Sequence, residues 1–192
     1  MTRELPNFEL GSSWRVGRLF VQRGVLDFRA AVVHVRGLPY GRTSSRADPT
    51  RVLAEGRGTC SSKHALLREL AREHAQPVRL YMGIYEMEEA NTPGVGRILE
   101  DYGLRSVPEV HCYLRWEGTV IDATGLPGSY DPTGSLLYEE EIEVDQVVQH
   151  KVDVHRAWLR EWAARTRTDP DRAWAAREAC IGMLEHRSAS FV

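Results

Sequence analysis

Lysine is almost missing from this sequence: Lys63 and Lys151 are the only two, and arginine supplies the rest of the positive charge. Cysteine is scarce too. Cys60, Cys112 and Cys180 form an odd set in no framework spacing, which excludes a disulfide scaffold and favours reduced thiols. No apolar run approaches the roughly 20 residues of a membrane span. The opening Met-Thr-Arg-Glu-Leu-Pro-Asn-Phe lacks the apolar core of an export signal, so a cytoplasmic location away from membranes is expected. Excess charge of one sign is also lacking. A formal net charge of -2 gives no overall drive toward nucleic acid. The arginines alternate with acids, as in Arg68-Glu69 and Arg72-Glu73, in the pattern of a solvated helix face.

What is present is an ordinary globular composition, 42% hydrophobic and 27% charged over 192 residues, with no internal repeat. A chain of that length folds without disulfides or structural metal, and the thiol chemistry argued below calls for no cofactor. One domain over 1–192 is expected, with a core at about 48–148, a helical flank at 12–47 and another at 150–187.

Residues 14–36 read as one or two helices interrupted near Gly24, offering Trp14, Leu19, Phe20, Leu26, Val32, Val33 and Val35 to the core. Asp48-Pro49 starts a short helix that ends near Gly56. Gly56-Arg57-Gly58-Thr59 forces a turn, and from Cys60 a periodic helix runs to about His74. Its apolar stripe is Ala65, Leu66, Leu67, Leu70 and Ala71, set against Lys63, Arg68, Glu69 and Arg72. Residues 78–87 alternate as a strand, and 88–108 form an excursion with a helical turn near Ile98–Tyr102. Strands at 109–116 and 119–124 flank Glu117-Gly118, a hairpin turn. A further strand is expected at 136–148, then two helices over 150–187 separated by Thr168-Asp169-Pro170, with Trp158 and Trp162 one turn apart. Helices, then antiparallel strands, then helices make an α+β protein.

The chemistry gathers on three residues. Cys60 follows a glycine-rich turn at the start of a helix, where the partial positive charge favours a thiolate and free N–H groups can hold an oxyanion. A two-residue turn at Glu117-Gly118 sets Tyr113 opposite Asp122 and puts His111 on the face of Asp122. Diagonal neighbours of that kind lie within reach of an imidazole and a carboxylate. Asp122 then orients His111, which takes the proton of Cys60. The same alternation turns Cys112 toward the core.

These residues carry a resemblance. Gly-Arg-Gly-Thr-Cys60-Ser-Ser-Lys-His-Ala-Leu-Leu resembles the nucleophile motif of the transglutaminase-like superfamily. Val110-His111-Cys-Tyr-Leu-Arg-Trp116 resembles its histidine strand, and Val120-Ile-Asp122-Ala-Thr124 its aspartate strand. The order is the same, with His111 lying 51 residues after Cys60 and Asp122 11 further on. The resemblance implies a papain-like core, a nucleophile helix on an antiparallel sheet. It also implies thiol attack on a peptide, protein or small amide, by hydrolysis or acyl transfer. Two features depart from better-known members: Ser61-Ser62-Lys63-His64 follows the cysteine, and no Gln or Trp upstream supplies an oxyanion side chain.

Glu86 and Glu89, at the entrance of the excursion, with Tyr113 and His64, are the candidate substrate contacts, and His64 is also a candidate second base. Two rivals stand beside the enzyme reading. One is a zinc site drawn from Cys60, His64, His111, Cys112 and Asp122, which the absence of a CxxC pair disfavours. The other is a non-catalytic binding module on the same fold.

Overall fold

A computed structural model describes residues 5–126 and 130–189. In chain order the elements are α1 (Arg15–Val21), α2 (Phe28–Gly37), α3 (Arg51–Glu55), α4 (Cys60–Glu73), β1 (Arg79–Met87), α5 (Gly96–Asp101), β2 (Val107–Trp116), β3 (Thr119–Ile121), β4 (Tyr138–Ile142), a 3-10 turn (Val144–Val147), α6 (Gln149–Thr166) and α7 (Pro170–Ala189). The strands form one sheet in the order β3-β2-β1-β4. The protein is α+β, and the helix that begins at Cys60 is buried over most of its length.

The described residues fall into two compact units. The first takes those of Met1–Tyr81, Cys112–Gly125 and Glu141–Val147; the second takes those of Met82–His111, Leu126–Glu140 and Val148–Val192. Both are assembled from separate stretches of chain.

In the first unit, α4 is packed by α1, α2, α3 and the 3-10 turn. Its stripe of Ala65, Leu66, Leu67, Leu70 and Ala71 is buried, as the periodicity requires. Gly56, at φ 64°, ends α3 in the left-handed conformation that glycine adopts without strain. The far end of α4 is tied to α1. The Glu73 carboxylate accepts the amides of Val16 at 2.8 Å and Gly17 at 2.9 Å, and His74 Nε2 accepts Gly11 N–H at 2.9 Å. Glu117 and Gly118 both take positive φ, 46° and 77°, and the register pairs Leu114 with Ile121 and Trp116 with Thr119. That is the two-residue turn the hairpin argument needs.

In the second unit, β1 beyond Tyr81, α5, α6 and α7 enclose a core that includes Tyr85, Met87, Leu99, Leu159 and Trp162. Glu109 of β2 is buried in a bidentate pair with Arg177 of α7.

Four expectations are corrected. Trp14, Leu26 and Val33 are exposed and Leu19 is half-buried, because the inward faces of α1 and α2 are Val16, Gly17 and Phe20 on the one and Phe28, Ala31, Val32 and Val35 on the other. Lys63 and Arg68 are buried on α4, where a solvated face was expected. β3 stops at Ile121. The strand expected at 136–148 is only Tyr138–Ile142, since the side chain of Gln146 accepts the Glu143 amide at 2.7 Å and winds 144–147 into a 3-10 turn.

Candidate active site

Cys60 is the first residue of the 14-residue α4 and is 5% exposed. The turn before it is built for close approach. A Cβ on Gly58 would lie 2.8 Å from Lys63 Cγ and 3.0 Å from Val52 Cγ2, so only glycine fits there. Ser62 Oγ accepts the Thr59 amide at 3.0 Å and fixes the N-cap. Ser61, the residue after Cys60, places its hydroxyl 3.9 Å from Cys60 Sγ and donates to Cys112 Sγ at 3.5 Å. Cys112 is therefore a buried thiol held against α4, in agreement with its expected place in the core.

Three further side chains of the first unit meet behind Cys60. His64, one turn on, is fully buried; its Nδ1 lies 2.7 Å from the Cys60 carbonyl oxygen and its Nε2 lies 2.7 Å from the Ala123 amide. A carbonyl takes only a donor and an amide N–H only an acceptor, so the network assigns a neutral ring with the proton on Nδ1. Asp122 Oδ1 lies 3.5 Å from that Nε2 and accepts the Thr124 amide at 2.7 Å. Lys63 is fully buried as well, and its ammonium donates to the carbonyls of Leu38 at 2.6 Å and Thr124 at 2.8 Å. Burial pushes the Lys63 pKa down to about 8, against the opposing pull of the Asp122 and Cys60 charges. Consecutive residues of α4 thus hold consecutive residues of the aspartate segment, Lys63 gripping Thr124 and His64 gripping Ala123.

His111 belongs to the second unit, where it is 1% exposed. Its Nδ1 lies 3.0 Å from the Tyr130 hydroxyl, and the two rings meet edge to face at 5.7 Å. Tyr130 was not singled out by the sequence. It stands in the Gly/Pro-rich loop after β3, whose residues 127–129 lie outside the described set, and nothing in its spacing marks it.

The side chains expected to contact substrate each have protein partners. His64 is buried and both ring nitrogens are engaged, an arrangement that braces the Asp122 segment against α4. Tyr113 is buried too, stacked on Tyr81 at 6.2 Å with the Arg115 guanidinium over both rings. The Glu89 carboxylate accepts the amides of Gly94 at 2.9 Å and Gly96 at 2.7 Å, so it shapes its own loop. Glu86 is exposed and accepts the Ser106 hydroxyl at 2.9 Å.

Among the described residues, no group of three or more His, Cys, Asp or Glu converges as a metal ion would need. No described helix is long and apolar enough to cross a membrane.

Comparison with known proteins gives one match. The model of the transglutaminase-like superfamily matches residues 24–118, about half of the chain, a span that takes in Cys60 and His111 and stops just short of Asp122. No curated protein and no solved structure matches the chain.

Proposed function

From the transglutaminase-like core that this chain carries over residues 24–118, we propose that it is a thiol-dependent amide hydrolase or acyl transferase with Cys60 as nucleophile, His111 as base and Asp122 as orienting carboxylate. The superfamily works in general through cysteine chemistry. The observation that carries the reading to this chain is the position of Cys60, at the head of a long buried helix and braced from behind by a polar network.

The reaction follows from the groups named. His111 takes the Cys60 proton, and the thiolate is favoured by the positive end of α4. Sulfur bonds to the amide carbonyl carbon, and the oxyanion that forms is held by N–H groups of the first turn of α4. Collapse breaks the carbon–nitrogen bond while the imidazolium returns its proton to the departing amine. Water or a second amine then attacks the thioester, with His111 again accepting the proton, and releases acid or new amide. Asp122 keeps the His111 ring in one tautomer and stabilises its charged form. Candidate substrates are peptides, proteins and small amides, and Glu86 at the entrance of the excursion favours an amine-bearing one.

The test is a screen of amide and peptide substrates that reads the mass added to Cys60. Cys60→Ala should abolish turnover and acylation. Asp122→Asn should cut the rate by about 10²-fold or more without unfolding the protein. Undiminished turnover in Cys60→Ala would remove the nucleophile and the proposal with it. A thiol no more reactive than free cysteine at neutral pH, together with no acylation, would turn the reading to a binding module.

A further inference from the structure

We propose that Lys63 is a positioning residue for the reaction: a buried cation that holds Cys60 in its thiolate form and Asp122 in its carboxylate form. This rests on Cys60 being the nucleophile.

Three residues along a helix is one turn, so Lys63 and Cys60 are neighbours on the same side of α4. The stem of Lys63 runs against Gly58, the position at which a Cβ would come within 2.8 Å of it. At its tip, two carbonyl oxygens fix the ammonium, those of Leu38 and Thr124. Carbonyl dipoles replace part of the lost hydration but leave a whole positive charge inside the protein. Such a charge persists only where anions balance it. The charged groups acting on it are Cys60 on α4 and Asp122 on the segment after β3, with the His64 ring against both of those residues. α2 and α3 add the Leu38 carbonyl and the Val52 side chain, which carry no charge. His64 is neutral, so the balancing charges are those of Cys60 and Asp122, and both act to keep Lys63 protonated.

Coulomb coupling is reciprocal. Whatever the thiolate contributes to the ammonium, the ammonium contributes to the thiolate. A lysine serving only as counter-ion to Asp122 would leave the thiol titration unchanged, which makes that titration the decisive readout.

The rate of Cys60 alkylation by iodoacetamide is measured against pH, with peptide-resolved mass spectrometry separating Cys60 from Cys112 and Cys180. Lys63→Met should move the inflection upward by about one pH unit or more. The same shift should persist in a His111→Ala background, where the proposed base no longer titrates. The reciprocal arm uses Cys60→Ser, which barely changes volume. With Lys151 as the only other lysine, nitrogen-15 NMR assigns the Lys63 ammonium directly, and it should lose its proton at lower pH in Cys60→Ser. If Lys63→Met does not fold, this second arm decides alone. Titrations that stay put in both arms overturn the proposal. A shifted thiol without any acylated substrate would count against the amide chemistry and leave the role of Lys63 standing.

Discussion

Two of the buried polar clusters among the described residues hold charge in opposite ways. In the second unit, Arg177 meets Glu109 with two parallel hydrogen bonds, Nε to Oε2 at 2.5 Å and Nη2 to Oε1 at 2.8 Å. Burial alone would raise the Glu109 pKa, but the charge and hydrogen bonds of Arg177 outweigh it and hold the carboxyl at about 2. His155 beside it donates to the Pro108 carbonyl at 2.8 Å, and burial pushes its pKa down to about 4. Cys180 in the same unit is pushed up to about 12, first by burial and then by Glu109, the reverse of what a nucleophile needs. Each proton there is firmly placed. In the first unit, Lys63 has backbone carbonyls where Arg177 has a carboxylate, and its proton is loosened toward neutral pH. A closed ion pair fixes structure, whereas a buried ion lacking a bidentate partner is available to chemistry.

The largest expected effect breaks the closed pair. Arg177→Met leaves Glu109 buried without its partner and should cost about 3–5 kcal/mol in urea denaturation. Lys63→Met substitutes an apolar chain of similar length, removes a desolvated charge and should cost about 1–2 kcal/mol. Equal costs for the two variants would erase the distinction between the clusters.

Next in size, and sharper, is the pH dependence, because the clusters answer to opposite ends of the scale. His155 titrates at about 4 in the fold against an ordinary 6.5, so between those values the unfolded chain holds more protons and stability falls as pH falls. Glu109 extends the loss from its ordinary 4.5 down to about 2. Lys63 titrates at about 8 against 10.5; there too the unfolded chain holds the extra proton, so stability gains from this group as pH rises through that window. Each window is worth at most roughly 3 kcal/mol before structural relaxation. Denaturation midpoints across pH should therefore lose the alkaline gain in Lys63→Met and keep the acid loss.

Third comes the clamp behind Cys60. His64→Leu preserves bulk but orphans the buried Ala123 amide, and should cost about 1–3 kcal/mol in the same denaturation assay. Proposed activity should fall further than the stability loss explains, since the Asp122 segment loses its grip on α4. If kcat stays unchanged while stability drops, His64 is packing alone.

How much of this the sequence announced depends on what kind of force set each feature. The bounds of α4 were legible because Gly58 and Pro77 punctuate a strong helical period. The hairpin register was legible because Glu117-Gly118 admits one turn geometry. Lys63 was misplaced because lysine reads as a solvated face; a long-range fact, the carbonyls of Leu38 and Thr124 converging on one point, overrode that preference. His64 reads from sequence as a ligand or a base, and only the amide of Ala123, 59 residues away, makes it a strut. Tyr130 is invisible for the same reason, since its partner His111 lies 19 residues back across a hairpin.

The smallest predicted effect concerns Thr124. Its amide donates to Asp122 and its carbonyl accepts from Lys63, yet its buried Oγ1 has no hydrogen-bond partner among the described residues. A buried hydroxyl left unpaired costs free energy, and an isosteric methyl does not. Thr124→Val should thus be neutral or stabilising by up to about 1 kcal/mol, read by denaturation midpoint. A loss of more than that would mean the hydroxyl holds a water that joins the charges of Asp122 and Lys63. The open cluster would then be more fully solvated than the closed one, and the contrast in how the two hold their protons would rest on that water as much as on Lys63.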